Sequence, residues 1–167
     1  DGLINNAGIQ HRRPLTEFEL EDFDRVLDTN LRASWLLSRE AVRLMQNQGA
    51  GSIVNIASIT AYRTIKGQFP YAVSKAALIK ATEIMALEGA RYGVRVNALA
   101  PGYILTDVSR VLLESERSSE FVKGIPMRRY GEFADLDGPL LLLASDASTY
   151  MTGSVVVVDG GHICAEL

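Results

Sequence analysis

The sequence has 167 residues, of which 47% are hydrophobic and 22% are charged. This composition is typical of one ordinary globular domain and excludes a disordered or fibrous chain. Seventeen basic and twenty acidic residues leave a formal charge of −3, which gives no electrostatic surface for nucleic acid or anionic membranes. No apolar run approaches the roughly 18 residues of a membrane span. The single cysteine fits a reducing compartment, so we expect a cytoplasmic protein.

Strands and helices alternate along the first two thirds of the chain. Residues 3–6 form a short apolar strand, and apolar side chains at helical spacing predict a helix over about 20–48 that ends at Gly49. A β-branched run over residues 52–57 predicts a buried strand. Pro70 then opens a helix that runs to about residue 92, because proline favours the first helical turn.

The remaining elements continue the alternation. A strand is predicted over residues 94–99, a loosely helical polar stretch over 107–123 and a short helix over 140–144, with Pro139 in its first turn. The last strand covers residues 155–158. Strands that alternate with helices indicate βαβ units, so the predicted fold is α/β with a doubly wound parallel sheet.

Ligands of such a sheet bind beyond the carboxyl ends of its strands. In this chain those ends are Asn6-Ala7-Gly8, Ser58, Pro101-Gly102 and Asp159-Gly160. We therefore expect the functional site at these four segments.

Tyr71 and Lys75 lie four residues apart in a predicted helix, so their side chains project from the same face. A free tyrosine has a pKa of about 10, and a nearby ammonium favours the phenolate and lowers that pKa. The pair is therefore suited to proton transfer at neutral pH. An aromatic residue and a solvated lysine on a helix surface would show the same spacing.

Two further polar residues stand at informative positions. Ser58 follows the end of a buried strand, where its hydroxyl either donates to a substrate carbonyl or caps a turn. Asn30 lies inside a predicted helix, where asparagine is unfavourable. It is either an exposed polar residue or the centre of a local kink whose freed carbonyl holds a water molecule.

Several motifs together resemble the short-chain dehydrogenase/reductase family. They occur in the family's order and spacing over essentially the whole chain: Asn5-Asn6-Ala7-Gly8, Asp28-Thr29-Asn30-Leu31, Asn55-Ile56-Ala57-Ser58, Tyr71-Ala72-Val73-Ser74-Lys75, Asn97-Ala98-Leu99-Ala100-Pro101-Gly102, Thr106 and Val158-Asp159-Gly160-Gly161. The resemblance implies a Rossmann-like fold and NAD(P)-dependent interconversion of an alcohol and its carbonyl compound.

The resemblance also implies a role for each catalytic candidate. Tyr71 would be the acid and base, and Ser58 would orient the carbonyl group. Lys75 would lower the pKa of Tyr71 and bind the nicotinamide ribose. Asn30 would hold a water molecule in a proton relay.

The cofactor, NAD or NADP, would contact two groups of residues by the same resemblance. Its adenosine side would lie against Asn5, Ala7 and Gly8. Its nicotinamide end would lie against Pro101, Gly102, Ile104 and Thr106, the last two near the carboxamide. Members of the family usually assemble as homodimers or homotetramers through two long helices, here about 20–48 and 70–92.

One part of the family pattern has no counterpart in these residues. Family members begin with a strand, a glycine-rich turn and a helix that holds the pyrophosphate. Gly49-Ala50-Gly51-Ser52 precedes a strand, so a tight turn is its expected role. We expect residues 1–167 to be the C-terminal two thirds of a single domain that lacks the first three strands. Without them the strand over residues 3–6 would be an unpaired apolar edge, so we expect a natural polypeptide about 80 residues longer.

The substrate prediction depends on a basic segment after the first strand. His11, Arg12 and Arg13 lie on the side where the site is expected, and arginine pairs directionally with carboxylates. A solvated basic loop would have the same composition. Gly8-Ile9-Gln10 followed by basic residues and a proline resembles the gluconate 5-dehydrogenase branch of the family, whose substrates are sugar acids and their keto forms.

Other functions remain open at this point. A 3-oxoacyl carrier-protein reductase is the alternative within the family, and an idle binding or scaffold protein is the alternative on the same fold. A serine hydrolase would need a Gly-x-Ser-x-Gly motif, which is absent from the sequence. His162 and Cys164 supply two of the three or four ligands that zinc needs, so we expect no metal site.

Overall fold

A computed structural model describes residues 1–105 and 121–165. Within them, one parallel sheet has its strands in chain order: β1 (Gly2–Asn5), β2 (Gly51–Ile56), β3 (Val94–Pro101) and β4 (Val155–Val158). The register aligns Asn5 with Asn55 and Leu99 with Val156. The predicted α/β class with a parallel sheet is confirmed.

The helices follow the predicted order. They are α1 (Leu20–Leu27), α2 (Ala33–Gln48), α3 (Phe69–Gly89) and α4 (Phe133–Ala144). A π-helical turn, Asp28–Arg32, joins α1 to α2, so the predicted helix over 20–48 is continuous but changes its hydrogen bonding in the middle. A 3₁₀ turn, Ala90–Tyr92, extends α3. The predicted helical stretch over 107–123 lies outside the described residues as far as residue 120.

The helix predicted over residues 140–144 begins earlier than the sequence pattern suggested. It starts at Phe133, because Glu132 and Asp135 form a capping box in which each side chain accepts from the other's backbone N–H. Pro139 therefore lies inside α4 rather than in its first turn. The proline removes one hydrogen bond from the helix interior, and α4 nevertheless continues through it to Ala144.

Helices cover both faces of the sheet. On one face Met45 of α2 and Ala86 of α3 pack against Ile53 and Val96 of the central strands. On the other face Leu143 of α4 packs against apolar residues of the same strands, Val54 and Leu99. Strands buried on both sides must be almost continuously apolar, which explains why β2 and β3 were recognisable in the sequence. No described helix has both the length and the apolar character needed to cross a bilayer.

Two glycines end helices at one corner of the fold. Gly49 follows α2 with a φ of 73°, and Gly93 follows the 3₁₀ turn after α3 with the same φ of 73°. A Cβ at Gly49 would meet no atom within 4 Å, whereas a Cβ at Gly93 would overlap the carbonyl oxygen of Gly49. The two positions therefore share one backbone strain but differ in their surroundings.

This difference gives a matched pair of substitutions. Gly49→Ala adds only the strain of a positive φ, which costs about 1 kcal/mol of unfolding free energy. Gly93→Ala adds the same strain and a steric overlap with backbone, so we expect a clearly larger loss in urea unfolding. Equal losses for the two variants would contradict the close approach of these two helix ends.

Candidate active site

A cleft of about 320 Å³ opens at the carboxyl edge of the sheet, where the sequence pattern placed the site. It is bounded by the segments that follow β1, β2 and β3 and by the start of α3. Its lining residues are Gln10, Arg12, Ser58, Ile59, Thr60, Ile65, Gln68, Tyr71, Gly102, Tyr103 and Ile104.

Ser58 and Tyr71 meet at this cleft. Ser58 lies two residues beyond β2, and its Oγ accepts a hydrogen bond from the backbone N–H of Thr60 at 3.2 Å, which caps a short turn. The Ser58 side chain also hydrogen-bonds with the Tyr71 hydroxyl. Burial raises the pKa of Tyr71, and the hydrogen bond with Ser58 opposes that increase. Ser58 therefore caps a turn and also lies beside Tyr71, while its expected role toward a substrate carbonyl stays a prediction.

Lys75 lies one turn further along α3 and is 4% exposed. Its Nζ donates to the carbonyl oxygen of Ile56 at 2.6 Å and lies 5.7 Å from the centroid of the Tyr71 ring. Burial lowers the pKa of Lys75 to about 8. The hydrogen bond from Ser58 is the interaction here that favours the Tyr71 phenolate. The expected effect of Lys75 on Tyr71 stays a prediction.

Asn30 lies within the π-helical turn and is fully buried. Its Oδ1 accepts from the backbone N–H of Ile9 at 2.8 Å, and its Nδ2 donates to the carbonyl oxygen of Ile9 at 3.0 Å. Nδ2 also donates to Ser74 Oγ at 3.0 Å, and that hydroxyl donates to the carbonyl oxygen of Tyr71. The distortion predicted at Asn30 is therefore present, while its expected water molecule stays a prediction.

The residues expected near the adenosine side of a cofactor separate into two environments. Gly8 lies against Lys75 and Asn30, because a Cβ there would be 3.4 Å from Lys75 Nζ and 3.5 Å from Asn30 Oδ1. Ala7 is exposed beside it. Asn5 is buried instead, and its Nδ2 donates to Ser38 Oγ at 2.9 Å and to Asn55 Oδ1 at 2.7 Å. The Asn5 amide thus ties β1 to α2 and β2.

The residues expected near the nicotinamide end follow β3. Gly102 and Ile104 line the cleft, and Pro101 is the last residue of β3, opposite Val158. Gly102 lies so close to β4 that an added Cβ would be 2.7 Å from the Cβ of Asp159. Thr106 lies outside the described residues.

The three basic residues of the predicted substrate segment are not held together. Arg12 lines the cleft. His11 and Arg13 instead approach Asp22 of α1, with distances of 3.1 Å from His11 Nε2 and 3.5 Å from Arg13 Nε to Asp22 Oδ2. Neither of them lines the cleft. The carboxylate of Asp22 therefore holds two of the three basic residues away from the cleft.

The lining residues that the sequence analysis did not single out include Gln68 and Tyr103. Gln68 is 2% exposed and directly precedes α3, three residues before Tyr71. A polar residue just before the helix that carries Tyr71 and Lys75 was the available signal. Tyr103 stands between Gly102 and Ile104, both already expected at the site.

His162 and Cys164, the two residues considered as zinc ligands, belong to no group of metal-binding side chains among the described residues. The His162 ring is buried with its centroid 5.5 Å from that of Tyr103, and Cys164 is exposed. Across residues 1–105 and 121–165, no three His, Cys, Asp or Glu side chains form a group that would hold a metal ion.

A parallel sheet with helices on both faces thus places a serine, a tyrosine and a lysine together at its carboxyl edge. A family model described as enoyl-(acyl carrier protein) reductase matches residues 1–162. The chain belongs to the short-chain dehydrogenase/reductase family.

Individual relatives agree with this assignment. Gluconate 5-dehydrogenase of Gluconobacter oxydans is 39% identical over 162 residues, which are 96% of this chain and 63% of that protein. A 3-oxoacyl-[acyl-carrier-protein] reductase of Rickettsia felis is 40% identical over 163 residues, 98% of this chain and 67% of that protein. The structure of a gluconate 5-dehydrogenase from Burkholderia cenocepacia, in complex with NADP and tartrate, superimposes with a TM-score of 0.95 at 37% identity, covering 99% of this chain and 66% of that one. The chain thus spans about two thirds of each relative.

The buried ammonium of Lys75 predicts a specific dependence of stability on pH. Its pKa in the folded state is about 8, below its ordinary value of 10.5, so the folded state disfavours the charge. At pH 7 Lys75→Met should therefore raise the free energy of unfolding by up to about 3 kcal/mol. From pH 8 to 10.5 the unfolded chain binds more protons than the folded one. The free energy of unfolding of the wild type should therefore increase relative to that of Lys75→Met over this pH range.

Urea unfolding of both proteins at several pH values tests this prediction. Lys80→Met removes an exposed lysine from the same helix and controls for the change in net charge. A Lys75→Met variant that is less stable than the wild type at pH 7 would contradict the desolvation argument.

Proposed function

We propose that the protein is an NAD(P)-dependent oxidoreductase that interconverts a secondary alcohol and a ketone on a sugar acid. The observation that carries this proposal is the hydrogen-bonded pair of Ser58 and Tyr71 beside the buried Lys75, in a cleft that also contains Arg12. Ser58, Tyr71 and Lys75 provide the groups for proton transfer, and Arg12 supplies a positive charge that pairs with a substrate carboxylate.

The proton chemistry follows from the positions of the two hydroxyls. In reduction Ser58 donates a hydrogen bond to the substrate carbonyl, which polarises it and fixes its orientation. Tyr71 then gives its proton to the developing alkoxide. In oxidation the Tyr71 phenolate accepts the alcohol proton, and the hydrogen bond from Ser58 stabilises that phenolate. The nicotinamide, when bound, supplies or accepts the hydride.

The residues present suit a nicotinamide nucleotide. The Lys75 ammonium has three N–H donors, of which the carbonyl oxygen of Ile56 takes one, so two remain for ribose hydroxyls. Gly8 has no side chain in front of this ammonium, which leaves it approachable from the β1 side. NADP is the cofactor in the Burkholderia relative. Either NAD or NADP is proposed for this protein.

The remaining catalytic candidate, Asn30, acts through position. Its side chain is committed to Ile9 and Ser74, so any water molecule of a proton relay would be held by its backbone carbonyl. Ser34 Oγ lies 3.3 Å from that carbonyl oxygen. We propose that Asn30 supports the relay and fixes α3 against the loop after β1.

The sugar-acid substrate is supported by the cleft and by the relatives. Arg12 places a guanidinium among the residues that surround Ser58 and Tyr71. The gluconate 5-dehydrogenases of Gluconobacter and Burkholderia act on a sugar acid by their names, and the second was solved with tartrate, a hydroxy dicarboxylate. Of the three basic residues considered, Arg12 is the one we propose as the partner of the substrate carboxylate.

Assembly as a homodimer or homotetramer in the cytoplasm completes the proposal. The two long helices expose large apolar side chains, including Trp35, Leu37 and Leu44 on α2 and Ile84 and Leu87 on α3. Contact between copies would remove these side chains from water.

Tyr71→Phe removes the proton donor and keeps the ring. We expect turnover to fall by about 10²-fold or more, the usual scale for a positioned acid and base. The full-length protein should be assayed with 5-ketogluconate, gluconate and an acetoacetyl thioester, each with NAD(H) and NADP(H). Tyr150→Phe, at a fully exposed tyrosine, is the control.

The same assay separates the alternatives. Activity confined to the thioester would assign the protein as a 3-oxoacyl carrier-protein reductase. Binding of nicotinamide nucleotide without turnover would support the scaffold function. Unchanged turnover in Tyr71→Phe would remove Tyr71 from the mechanism.

Arg12 and Arg13 allow a test of the substrate carboxylate. Arg12→Glu should raise the KM for 5-ketogluconate about ten-fold or more, because an ion pair with the substrate is replaced by repulsion. Arg13→Glu changes the same charge next to it, but Arg13 is directed toward Asp22, so its KM should change much less. Equal effects of the two variants would mean that the basic segment acts only through its overall charge.

A further inference from the structure

We infer that Gln68 is a positioning residue that gives Arg12 a neutral hydrogen-bond partner, so that the guanidinium keeps its full charge for the carboxylate of a substrate. This inference rests on the proposed function and deepens it. It concerns how the enzyme would distinguish a sugar acid from the corresponding neutral sugar.

The partner of Arg12 differs in kind from those of two other arginines in the chain. Arg129 makes two hydrogen bonds to Asp135, of 2.6 and 2.8 Å, and Arg13 lies 3.5 Å from Asp22. Both are thus paired with a carboxylate. Arg12 forms no ion pair with any carboxylate among the described residues.

An amide oxygen takes the place of the carboxylate at Arg12. With the Gln68 amide oriented by its donors, its Oε1 accepts from Arg12 Nη2 at 2.6 Å and from Arg12 Nε at 3.2 Å. Gln10 Nε2 donates to the same oxygen at 2.8 Å. This arrangement orients the guanidinium as a carboxylate would, but adds no negative charge.

Gln68 is itself firmly placed. It is 2% exposed, and its backbone carbonyl accepts from the N–H of Ala72 at 2.9 Å, in the first turn of α3. The helix that carries Tyr71 therefore also fixes the partner of Arg12. The proton donor and the residue that orients the anion-binding group thus lie within one turn of each other, which suits a substrate whose carbonyl and carboxylate are a fixed number of bonds apart.

The guanidinium retains both donors and charge for a ligand. Two of the five N–H groups of Arg12 donate to Gln68, which leaves three for a ligand. The positive charge of Arg12 also reaches another cleft residue, since it lowers the pKa of Tyr103 while burial raises it. A carboxylate at position 68 would pair with the Arg12 guanidinium and offset this positive charge.

The alternative is that Gln68 only ties the loop after β1 to α3. Two substitutions separate tethering from charge. Gln68→Glu keeps the tether, as a stronger ion pair, but neutralises Arg12. Gln68→Met removes the tether and leaves the charge. If Gln68 keeps the charge of Arg12 available, Gln68→Glu should weaken recognition of an acidic ligand more than Gln68→Met does. If Gln68 only tethers the loop, Gln68→Met should weaken it more.

The experiment compares matched acidic and neutral ligands in the full-length protein. 5-Ketogluconate and L-sorbose differ by a carboxylate against a hydroxymethyl group, as do gluconate and D-sorbitol. For Gln68→Glu we expect the ratio of kcat/KM for 5-ketogluconate to that for L-sorbose to fall about ten-fold or more, mainly through KM. Calorimetry should show the same loss for gluconate relative to sorbitol. Gln68→Met should keep the acidic preference, and Gln46→Glu, an exposed position on α2, should change neither ratio.

The binding measurement keeps this inference distinct from the proposed reaction. A wild-type protein that binds gluconate more tightly than sorbitol but turns over neither would refute the reaction and leave the inference in place. A Gln68→Glu variant that retains the acidic preference would overturn the inference. So would equal losses for acidic and neutral ligands, or a wild type that binds gluconate no better than sorbitol.

Discussion

The side chain of Asn30 fixes the relative positions of the two segments that form the cleft. Its amide binds both backbone groups of Ile9 and the hydroxyl of Ser74, and no part of the side chain is exposed. The loop after β1 carries Arg12, and α3 carries Tyr71 and Lys75. A buried amide must keep its hydrogen bonds, so movement of either segment would leave polar groups unsatisfied. One buried residue therefore fixes the loop after β1 relative to α3 at the cleft.

A second polar chain crosses the core beside it. Asn5 donates to Asn55 at 2.7 Å, and Asn55 donates to Thr82 at 2.8 Å, which connects β1, β2 and α3. All three residues are buried. Apolar packing tolerates small shifts, whereas hydrogen bonds between buried side chains restrict the register more tightly. β1 is therefore aligned against β2 more exactly than hydrophobic contacts alone would ensure.

Much of this organisation could be predicted from the sequence, for physical reasons. Strands buried on both faces are mostly apolar, and Gly49 marked the end of α2 in the sequence. The predicted start of α4 was wrong because Pro139 resembles a first-turn residue. The helix is instead capped by Glu132, which lies seven residues earlier, together with Asp135. Ser58, Tyr71 and Lys75 follow from strand ends and helical spacing. The separation of Arg12 from Arg13 does not, because it depends on Asp22 and Gln68, whose positions only the folded chain defines.

The π-helical turn also determines the helical phase of everything that follows it. The buried positions Val26, Asn30, Ser34 and Ser38 recur every four residues. In a regular α-helix such a line drifts around the axis by about 40° at each step. The wider turn at Asp28–Arg32 offsets this drift and keeps the line against the sheet. The turn thus accommodates one extra residue: deleting one residue from it would leave a regular α-helix that still directs Ser38 and Met45 to the core, because the eleven residues from Val26 to Ser38 would then turn by about 1100°, close to three full turns.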